Sequence, residues 1–325
     1  MDFRLVALER WLGAEYPAIP FTLAPASEDA SFRRYFRVRF ADGRSFVVMD
    51  APPERENSAQ FLHVATVFSA AGVHVPAVHA KDLAAGFLLL EDLGNTTFLD
   101  DFNRQADPNP LYAAATDALI SIQLASRPGT LPEYDRLLLE RELRLFPDWY
   151  IERHLQRELA PGEREVLDGA FASLLANNLA QPRVYVHRDY HCRNLMVCAP
   201  LPGILDFQDA VYGPITYDLV SLFRDAYVRW EEAQVLDWLV RYWEKARKAG
   251  LPVHADFAEF YRDFEWMGAQ RQLKVAGIFA RLCHRDGKRQ YLADIPLVLD
   301  YLRATCARYR ELAPLAQLLE RLTAG

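Results

Sequence analysis

Residues 183–209 read RVYVHRDYHCRNLMVCAPLPGILDFQD, two short strand-like runs that are joined by polar loops. The stretch places His187 and Asp189 after a β-branched run, Asn194 five residues beyond that aspartate and Asp206 twelve residues further on. The β-branched and aromatic residues before the first loop favour a strand and then a loop over a helix. The stretch therefore predicts polar side chains presented together at the ends of short strands.

These residue types at this spacing are the ones that phosphoryl transfer from ATP requires. One carboxylate orients the acceptor hydroxyl and accepts its proton, while an amide and a second carboxylate give oxygens to Mg²⁺. Asp189 is predicted for the first role, and Asn194 and Asp206 for the two metal roles. The pattern HxDxxxxN, followed by a strand that ends in Asp, is typical of protein kinases and their small-molecule relatives.

Two other interpretations of this stretch were weighed. The polar residues could merely cap turns, but three spaced matches in the correct order seldom coincide. His187, His191, Cys192 and Cys198 could bind zinc, because two histidines four residues apart share one face of a helix. The segment lacks the glutamate next to the first histidine, and its lead-in favours a strand, so we expect ordinary reduced thiols.

The pattern of the chain changes near residue 95, from β-rich to α-rich. The first part predicts a helix over 2–14, a hairpin over 32–50 that turns at Asp42-Gly43, a helix over 58–71 and a buried strand over 87–91. Helix-period patterns follow over 110–126, 136–158, 161–179, 216–249, 256–283 and 294–323. The predicted fold class is α+β with two lobes, a small β-rich lobe over residues 1–93 and a large, mostly helical lobe over 94–325.

Composition excludes several classes of protein. The 325 residues include 37 basic and 44 acidic side chains, a net charge of −7 that argues against an electrostatic nucleic-acid binder. No uncharged apolar run approaches the roughly 18 residues of a membrane helix. The N-terminus is charged every few residues, unlike a signal peptide, and four cysteines are too few for a disulfide scaffold. We expect a cytoplasmic protein with no nucleic-acid or membrane partner and no obligate protein partner.

With these motifs, the chain resembles the aminoglycoside phosphotransferase family, also called the phosphotransferase enzyme family, over essentially its whole length. The resemblance implies a bilobal protein-kinase-like fold that uses ATP and Mg²⁺, with Asp189 as the catalytic base and Asn194 and Asp206 as metal ligands. Asp218, in Tyr217-Asp218-Leu219, matches the aspartate that braces the catalytic loop in this family. It could equally be the N-cap of the helix that begins there.

Five stretches resemble one branch of the family, the bacterial anomeric kinases of cell-wall (peptidoglycan) recycling. They are SEDASFRRYFRV from 27, VVMDAPPE from 47, LLEDLG from 89, VHRDYHCRNLM from 186 and QRQLKVAGIFARL from 270. The resemblance implies phosphorylation of N-acetylmuramate and N-acetylglucosamine at the C1 hydroxyl. The alternatives are another acceptor on the same fold (an aminoglycoside, choline or a methylthio-sugar) and a non-catalytic nucleotide-binding adaptor.

The turn that should cover the ATP phosphates departs from the kinase pattern. Residues 27–36 contain no glycine, so small and polar residues must form the turn. Ser31, Phe32 and Arg33 are the predicted ATP contacts there. At the connection between the lobes, the Glu91 carbonyl and the Leu93 N–H are predicted to bond the adenine edge.

A second departure concerns the strand that usually carries the ATP-binding lysine. Met49 or Asp50 stands where the lysine is expected, so another cation must meet the phosphates. Arg33 or Arg34 is the nearest candidate in sequence. The alternative is that the arginines of RRYFRVRF belong to a half-exposed strand, which we favour for Arg37 and Arg39.

The sugar site is expected in the helical lobe. Asp225, seven residues after Asp218 on the next predicted helix, could bond sugar hydroxyls, with Arg229 one turn further; solvent-facing charges are the alternative. Arg271 and Lys274 lie on or beside an apolar stripe predicted over 257–282, where an unpaired charge is costly. They either pair with internal carboxylates or face a carboxylate or phosphate of the substrate.

Overall fold

The computed structural model describes residues 2–28 and 32–323, and its first part is an antiparallel sheet. The five strands, in the spatial order β1-β2-β3-β5-β4, are β1 (Phe21–Glu28), β2 (Arg34–Phe40), β3 (Ser45–Asp50), β4 (Val78–Asp82) and β5 (Phe87–Glu91). The predicted hairpin is confirmed, and Gly43 in its turn has φ of 90°. The sequence did not predict β1 and β4, which are the two edge strands. Their polar and small residues give little hydrophobic signal, as is common at sheet edges.

Two helices cover the two faces of this sheet. On one face, Leu8 and Leu12 of α1 (Phe3–Glu15) pack with Val48 of β3. On the other face, Phe61 of α2 (Ser58–Ala70) belongs to the same core as Met49. Successive residues of a strand point to opposite faces. The alternation therefore turns Met49 toward α2 and the flanking residues of β3 toward α1.

The second part of the molecule is mostly helical. Its helices are α3 (Phe98–Asn103), α4 (Pro108–Leu124), α5 (Arg136–Leu145), α6 (Pro161–Ala180), α7 (Tyr217–Phe223), α8 (Glu232–Lys248), α9 (Phe257–His284), α10 (Ile295–Arg308) and α11 (Ala313–Thr323). A π-helical segment over Phe146–His154 and two short 3₁₀ segments over Arg289–Asp294 and Arg310–Leu312 join them. Three of the predicted helical patterns, those over 136–158, 216–249 and 294–323, are thus interrupted. In one of them, α10 ends at Arg308, and the next residue, Tyr309, has an extended backbone.

Helix α9 lies at the centre of this part. Every residue over 263–277 is buried, and the helix contacts α5, α6, α7, α10 and the π-helical segment. The prediction of a single inward stripe is therefore wrong, because neighbours cover all sides of the helix. Polar side chains on such a helix must find partners inside the protein or face a site.

The stretch over 183–209 forms three short strands rather than the predicted two, and a fourth follows just after it. They make two small antiparallel sheets, in which β6 (Arg183–Val186) pairs with β9 (Val211–Pro214) and β7 (Leu195–Met196) pairs with β8 (Gly203–Ile204). The predicted α+β fold class is confirmed, while the boundary between residues 93 and 94 stays a prediction. Within residues 2–28 and 32–323, no helix is both long and apolar enough to cross a membrane.

Close packing of α9 against the end of α5 depends on Gly277. A methyl group at this position would lie 2.4 Å from the carbonyl carbon and oxygen of Leu145, so Gly277→Ala forces the backbones apart. We expect this variant to lower the free energy of unfolding by about 1–3 kcal/mol, as overpacking does. Urea denaturation measures the change.

Gly268 of the same helix provides the matched control. A methyl group there would come no closer than 3.4 Å, to Oε1 of Gln272, which is ordinary contact. Gly268→Ala should raise the free energy of unfolding by about 0.5–1 kcal/mol through helix propensity. Equal effects of the two substitutions would contradict the steric explanation.

Candidate active site

The loop that carries Asp189 is held by one buried carboxylate. Asp218, in the first turn of α7, accepts the backbone N–H groups of His187 at 2.6 Å and of Arg188 at 3.0 Å. Burial raises the pKa of Asp218 to about 7, and the two N–H bonds act against that rise. The predicted bracing role is confirmed. The N-cap alternative is wrong, because Thr216 occupies the cap position.

The imidazole of His187 joins this loop to the segment that leads to Asp206. Its Nε2 lies 2.9 Å from the carbonyl oxygen of Leu205, and its Nδ1 accepts the backbone N–H of Asp189 at 3.2 Å. A carbonyl can only accept and an N–H can only donate, so Nε2 carries the proton. Burial lowers the pKa of His187 to about 4, and the ring is therefore neutral at physiological pH.

The structure brings the three predicted catalytic and metal residues together. Nδ2 of Asn194 donates to the backbone oxygen of Asp189 at 2.9 Å and to Oδ2 of Asp206 at 3.4 Å. Gln208 donates to the other carboxylate oxygen of Asp206 at 2.8 Å. Arg188 and Asp206 both have positive φ, 77° and 60°, which is strained for residues with a side chain and is concentrated at functional sites.

A buried network of charges lies behind Asp189. Glu142 on α5 accepts from Arg188 and Tyr134 and pairs with Nζ of Lys274 at 3.0 Å. Lys274 also donates to the hydroxyl of Tyr217 at 2.8 Å. Of the two outcomes that the sequence left open for Lys274, the structure shows the internal ion pair.

Asp189 itself is ionised. Burial alone would raise its pKa, but the charges of Lys274, His191, Arg188 and Arg271 outweigh burial and lower the pKa. A carboxylate in this state accepts a hydrogen bond from a hydroxyl and takes up its proton as the hydroxyl oxygen reacts.

Met49 and Asp50, the two candidates for the position of the missing lysine, point to opposite faces of β3. Asp50 is buried, and its two oxygens accept from Nε of Arg4 at 2.7 Å and from Nε of Arg34 at 3.0 Å. Arg34 is thus engaged on the α1 side of the sheet, whereas Met49 faces α2. The sequence of α2, SAQFLHVATVFSA, contains no acidic residue. The lysine and the helix glutamate that usually pairs with it are therefore both replaced.

Arg33 pairs instead with Glu56, which lies just before α2. Nη2 of Arg33 is 2.8 Å from Oε2 of Glu56, and the two side chains are only 10% and 11% exposed. Oε1 of Glu56 accepts the backbone N–H of Phe32 at 3.2 Å. The Phe32 side chain is 57% exposed. Ser31, the third predicted ATP contact of this turn, lies outside the described residues.

The N-terminal end of α2 also touches the residues that follow Asp206. Gln60, in the first turn of α2, donates to the backbone oxygen of Gln208 at 2.8 Å. The rings of Phe61 and Phe207 lie 4.9 Å apart. The Arg33–Glu56 pair is therefore placed at the end of α2 that adjoins Asp206.

The connection over Glu91–Leu93 is tied to the sheet by an arginine. Nε and Nη2 of Arg37 donate to the carboxylate of Asp92 at 2.8 and 2.9 Å. The structural role that we favoured for Arg37 is confirmed. Leu93 is buried, and its N–H has no hydrogen-bond partner among residues 2–28 and 32–323. The adenine contacts of Glu91 and Leu93 stay predictions.

Two of the predicted substrate residues lie in a loop rather than on a helix. Residues 224–231 are not helical, so the predicted placement of Asp225 and Arg229 on a helix is wrong. Asp225 is fully buried, and its oxygens accept the N–H groups of Cys192 at 2.9 Å and Tyr227 at 3.2 Å. Arg229 is 58% exposed and pairs with Asp300 on α10. Their contacts with substrate stay predictions.

The zinc interpretation finds no support in the geometry. Cys192 and Cys198 are free thiols, as expected. Within the described residues, no group of three or more His, Cys, Asp or Glu side chains is placed to hold a metal ion.

Sequence reasoning missed Glu142 and Gln208. Glu142 had a signal, because it shares helical spacing with Leu139, Leu143 and Phe146 in a run of otherwise apolar positions. A charged residue on an apolar face indicates a buried partner. Gln208 had no such signal.

The neutral state of His187 predicts a pH dependence of stability. Below its usual pKa of 6.5 the unfolded chain binds a proton that the folded protein does not bind until about pH 4. Stability from this group is complete above pH 6.5 and is lost as the pH falls toward 4, up to about 3 kcal/mol. His187→Gln should show a shallower acid loss of unfolding free energy than the unmodified protein. Parallel curves would contradict this assignment.

The comparisons with known proteins agree with this geometry. The model of the phosphotransferase enzyme family matches residues 22–260. A protein of Neisseria meningitidis serogroup B, named N-acetylmuramate/N-acetylglucosamine kinase, is 53% identical over 98% of this chain and 96% of its own length. A protein of the same name from Pseudomonas aeruginosa is 50% identical over 100% of this chain and 98% of its own length.

Among solved structures, a choline/ethanolamine kinase family protein from Mesorhizobium loti has a TM-score of 0.65 at 16% identity. The match covers 98% of this chain and 100% of that protein. This likeness confirms the bilobal protein-kinase-like fold expected from the sequence. Together with the family match over most of the sequence, it shows that the chain belongs to the phosphotransferase enzyme family.

Proposed function

We propose that this protein transfers the γ-phosphoryl group of ATP to the C1 hydroxyl of N-acetylated amino sugars, N-acetylmuramate and N-acetylglucosamine. The relatives that are about half identical over nearly the whole chain are named for kinase activity on these two sugars. The observation that carries the proposal is the ionised Asp189 beside Asn194 and Asp206.

Asp189 would orient the acceptor. The carboxylate accepts a hydrogen bond from the C1 hydroxyl, which fixes the direction of the attacking oxygen. As that oxygen bonds to the γ-phosphorus and the bond to the leaving ADP oxygen breaks, the hydroxyl proton passes to Asp189. Catalysis of this kind rests chiefly on positioning and on charge neutralisation.

The residues at Asn194 and Asp206 fit a magnesium ion. Nδ2 of Asn194 is used by Asp189 and Asp206, which leaves the amide oxygen for a cation. Carboxylate and amide oxygens are the ligands that Mg²⁺ prefers. Magnesium bound there would neutralise charge on the phosphates.

The ATP phosphates would be met by Arg33. Glu56 holds this guanidinium at the end of α2 that adjoins Asp206, so the cation comes from the turn before β2 instead of from β3. Glu56 is then a positioning residue, because it acts through Arg33. We assign nucleotide binding to residues 1–93, and catalysis and sugar binding to 94–325. A kinase that uses ATP and these sugars is proposed to work in the cytoplasm.

Replacing Asp189 tests the reaction directly. Asp189→Asn keeps the size of the side chain but cannot accept the proton, so kcat for sugar-dependent ADP release should fall by at least about 100-fold. The assay contains saturating Mg²⁺, ATP and N-acetylglucosamine. Unchanged turnover would falsify the assignment.

Asp237→Asn, on the exposed surface of α8, is the control for the same chemical change. Its kcat should change by less than about threefold, as for an ordinary surface substitution. ATP affinity of Asp189→Asn, measured by calorimetry, should remain close to that of the unmodified protein.

Arg33→Met tests the replacement of the lysine. Loss of a hydrogen bond to the charged phosphates should raise the KM for ATP on the order of 10-fold to 100-fold, with little change in the KM for the sugar. Glu56→Gln should shift the same parameter in the same direction by a smaller factor.

Glu163→Gln removes a carboxylate of another ion pair, with Arg157, in the helical part. It should leave the KM for ATP unchanged. If Arg33→Met lowers the melting temperature and leaves the KM for ATP unaltered, the pair is only structural.

A further inference from the structure

Arg271 is a buried guanidinium that has no partner in the described part of the chain. The residue is 4% exposed, and its Nε is buried with no hydrogen-bond partner. No hydrogen bond or ion pair joins Arg271 to any other residue in 2–28 or 32–323. Because arginine stays protonated in proteins, this positive charge is buried at a considerable cost in free energy.

The two other cations that are buried in or beside α9 have partners, although Nε of the half-buried Arg281 on this helix also has none among the described residues. Lys274, three residues further along, has Glu142 and Tyr217. Arg224, which packs beside this helix, has Glu265 at 2.8 Å and Thr305 at 3.1 Å. The fold thus supplies partners to buried cations elsewhere, and the missing partner of Arg271 indicates a ligand.

Arg271 lies close enough to the catalytic loop to act on its charges. Its charge helps to lower the pKa values of Asp189 and of His191, which lies two residues further along the catalytic loop. The metal ligands and Arg33 lie toward the β-rich part, whereas Arg271 belongs to the central helix of the other part. An anion bound by Arg271 would therefore belong to the acceptor, near its hydroxyl group, and not to the ATP phosphates that Arg33 would meet.

A second buried polar atom without a partner lies next to it. Nδ1 of His191 has no hydrogen-bond partner among the described residues. The His191 ring meets the edge of Tyr227 at 5.5 Å, and the guanidinium of Arg193 stacks on that tyrosine at 3.7 Å. Asp225 fixes the backbone of Tyr227 and that of the catalytic loop. The ring that carries the unpartnered Nδ1 of His191 is therefore packed against residues that are themselves held in place.

We propose that Arg271, with His191 beside it, binds the carboxylate of an acidic acceptor. This contact would determine the preference of the enzyme for acidic over neutral amino sugars. This inference rests on the proposed function, since the two sugars differ by one lactyl group: N-acetylmuramate carries a carboxylate that N-acetylglucosamine lacks. A guanidinium matches a carboxylate with two parallel hydrogen bonds. The transferred phosphoryl group is the other anion that Arg271 could meet, and it is common to both acceptors.

The test compares the two sugars in one variant. Arg271→Met should lower kcat/KM for N-acetylmuramate on the order of 100-fold more than that for N-acetylglucosamine, because only the first sugar loses a charged hydrogen-bonded partner. Loss of the charge near Asp189 affects both sugars alike and cancels from this ratio. The KM for ATP should stay constant. An equal loss on both sugars, or a raised KM for ATP, would overturn the proposal in favour of a phosphoryl contact.

Two further variants make the result decisive. Arg271→Lys keeps the charge without the planar fork and should recover part of the N-acetylmuramate rate. If Arg271→Met does not fold, the ratio of the kcat/KM values for the two sugars is measured in Arg271→Lys instead. A ratio equal to that of the unmodified protein contradicts the proposal. Arg262→Met, on the same helix but exposed and paired with Glu311, should leave that ratio unchanged. If the unmodified protein uses neither sugar, the proposed function fails before the question of Arg271 arises.

Discussion

A carboxylate that must stay ionised inside the protein determines the arrangement around the active site. Asp189 is only partly exposed to solvent, so its charge is stabilised by nearby cations, and Lys274 and Arg188 provide them. Those cations need an anion in turn, which is Glu142. Helix α9 can supply polar groups to this network only because it runs through the middle of the helical part. The network is therefore one unit in which each charge depends on the others.

In the proposed nucleotide site, the cation that meets the phosphates would come from a different place in the fold than the usual strand lysine. Phosphates need a cation, and a mobile arginine needs a carboxylate to orient it. In this proposed site, Arg33 would meet the first need and Glu56, just before α2, the second, while Met49 fills the interior position with an apolar side chain. An apolar residue between β3 and α2 avoids the desolvation of a buried ion pair.

The sequence was sufficient to predict the parts of the site that depend on local spacing. Asp189, Asn194 and Asp206 lie within one short stretch, so residues that are close to them in sequence determine the turns that bring them together. Glu142 and Arg271 reach the site from distant helices, and only the packing of those helices shows that Lys274 has a partner while Arg271 has none. Burial of α9 on all sides also depends on its neighbours, which no periodicity within the helix can reveal.

The connection between the two parts is held from both directions. Arg37 ties Asp92 to β2, and the side chain of Leu93 fits against Gly203 of β8, where a methyl group would lie only 2.8 Å from it. The predicted adenine contacts of Glu91 and Leu93 would therefore be made by a segment that is already ordered. Binding there should lose little conformational entropy, so more of the contact energy becomes affinity.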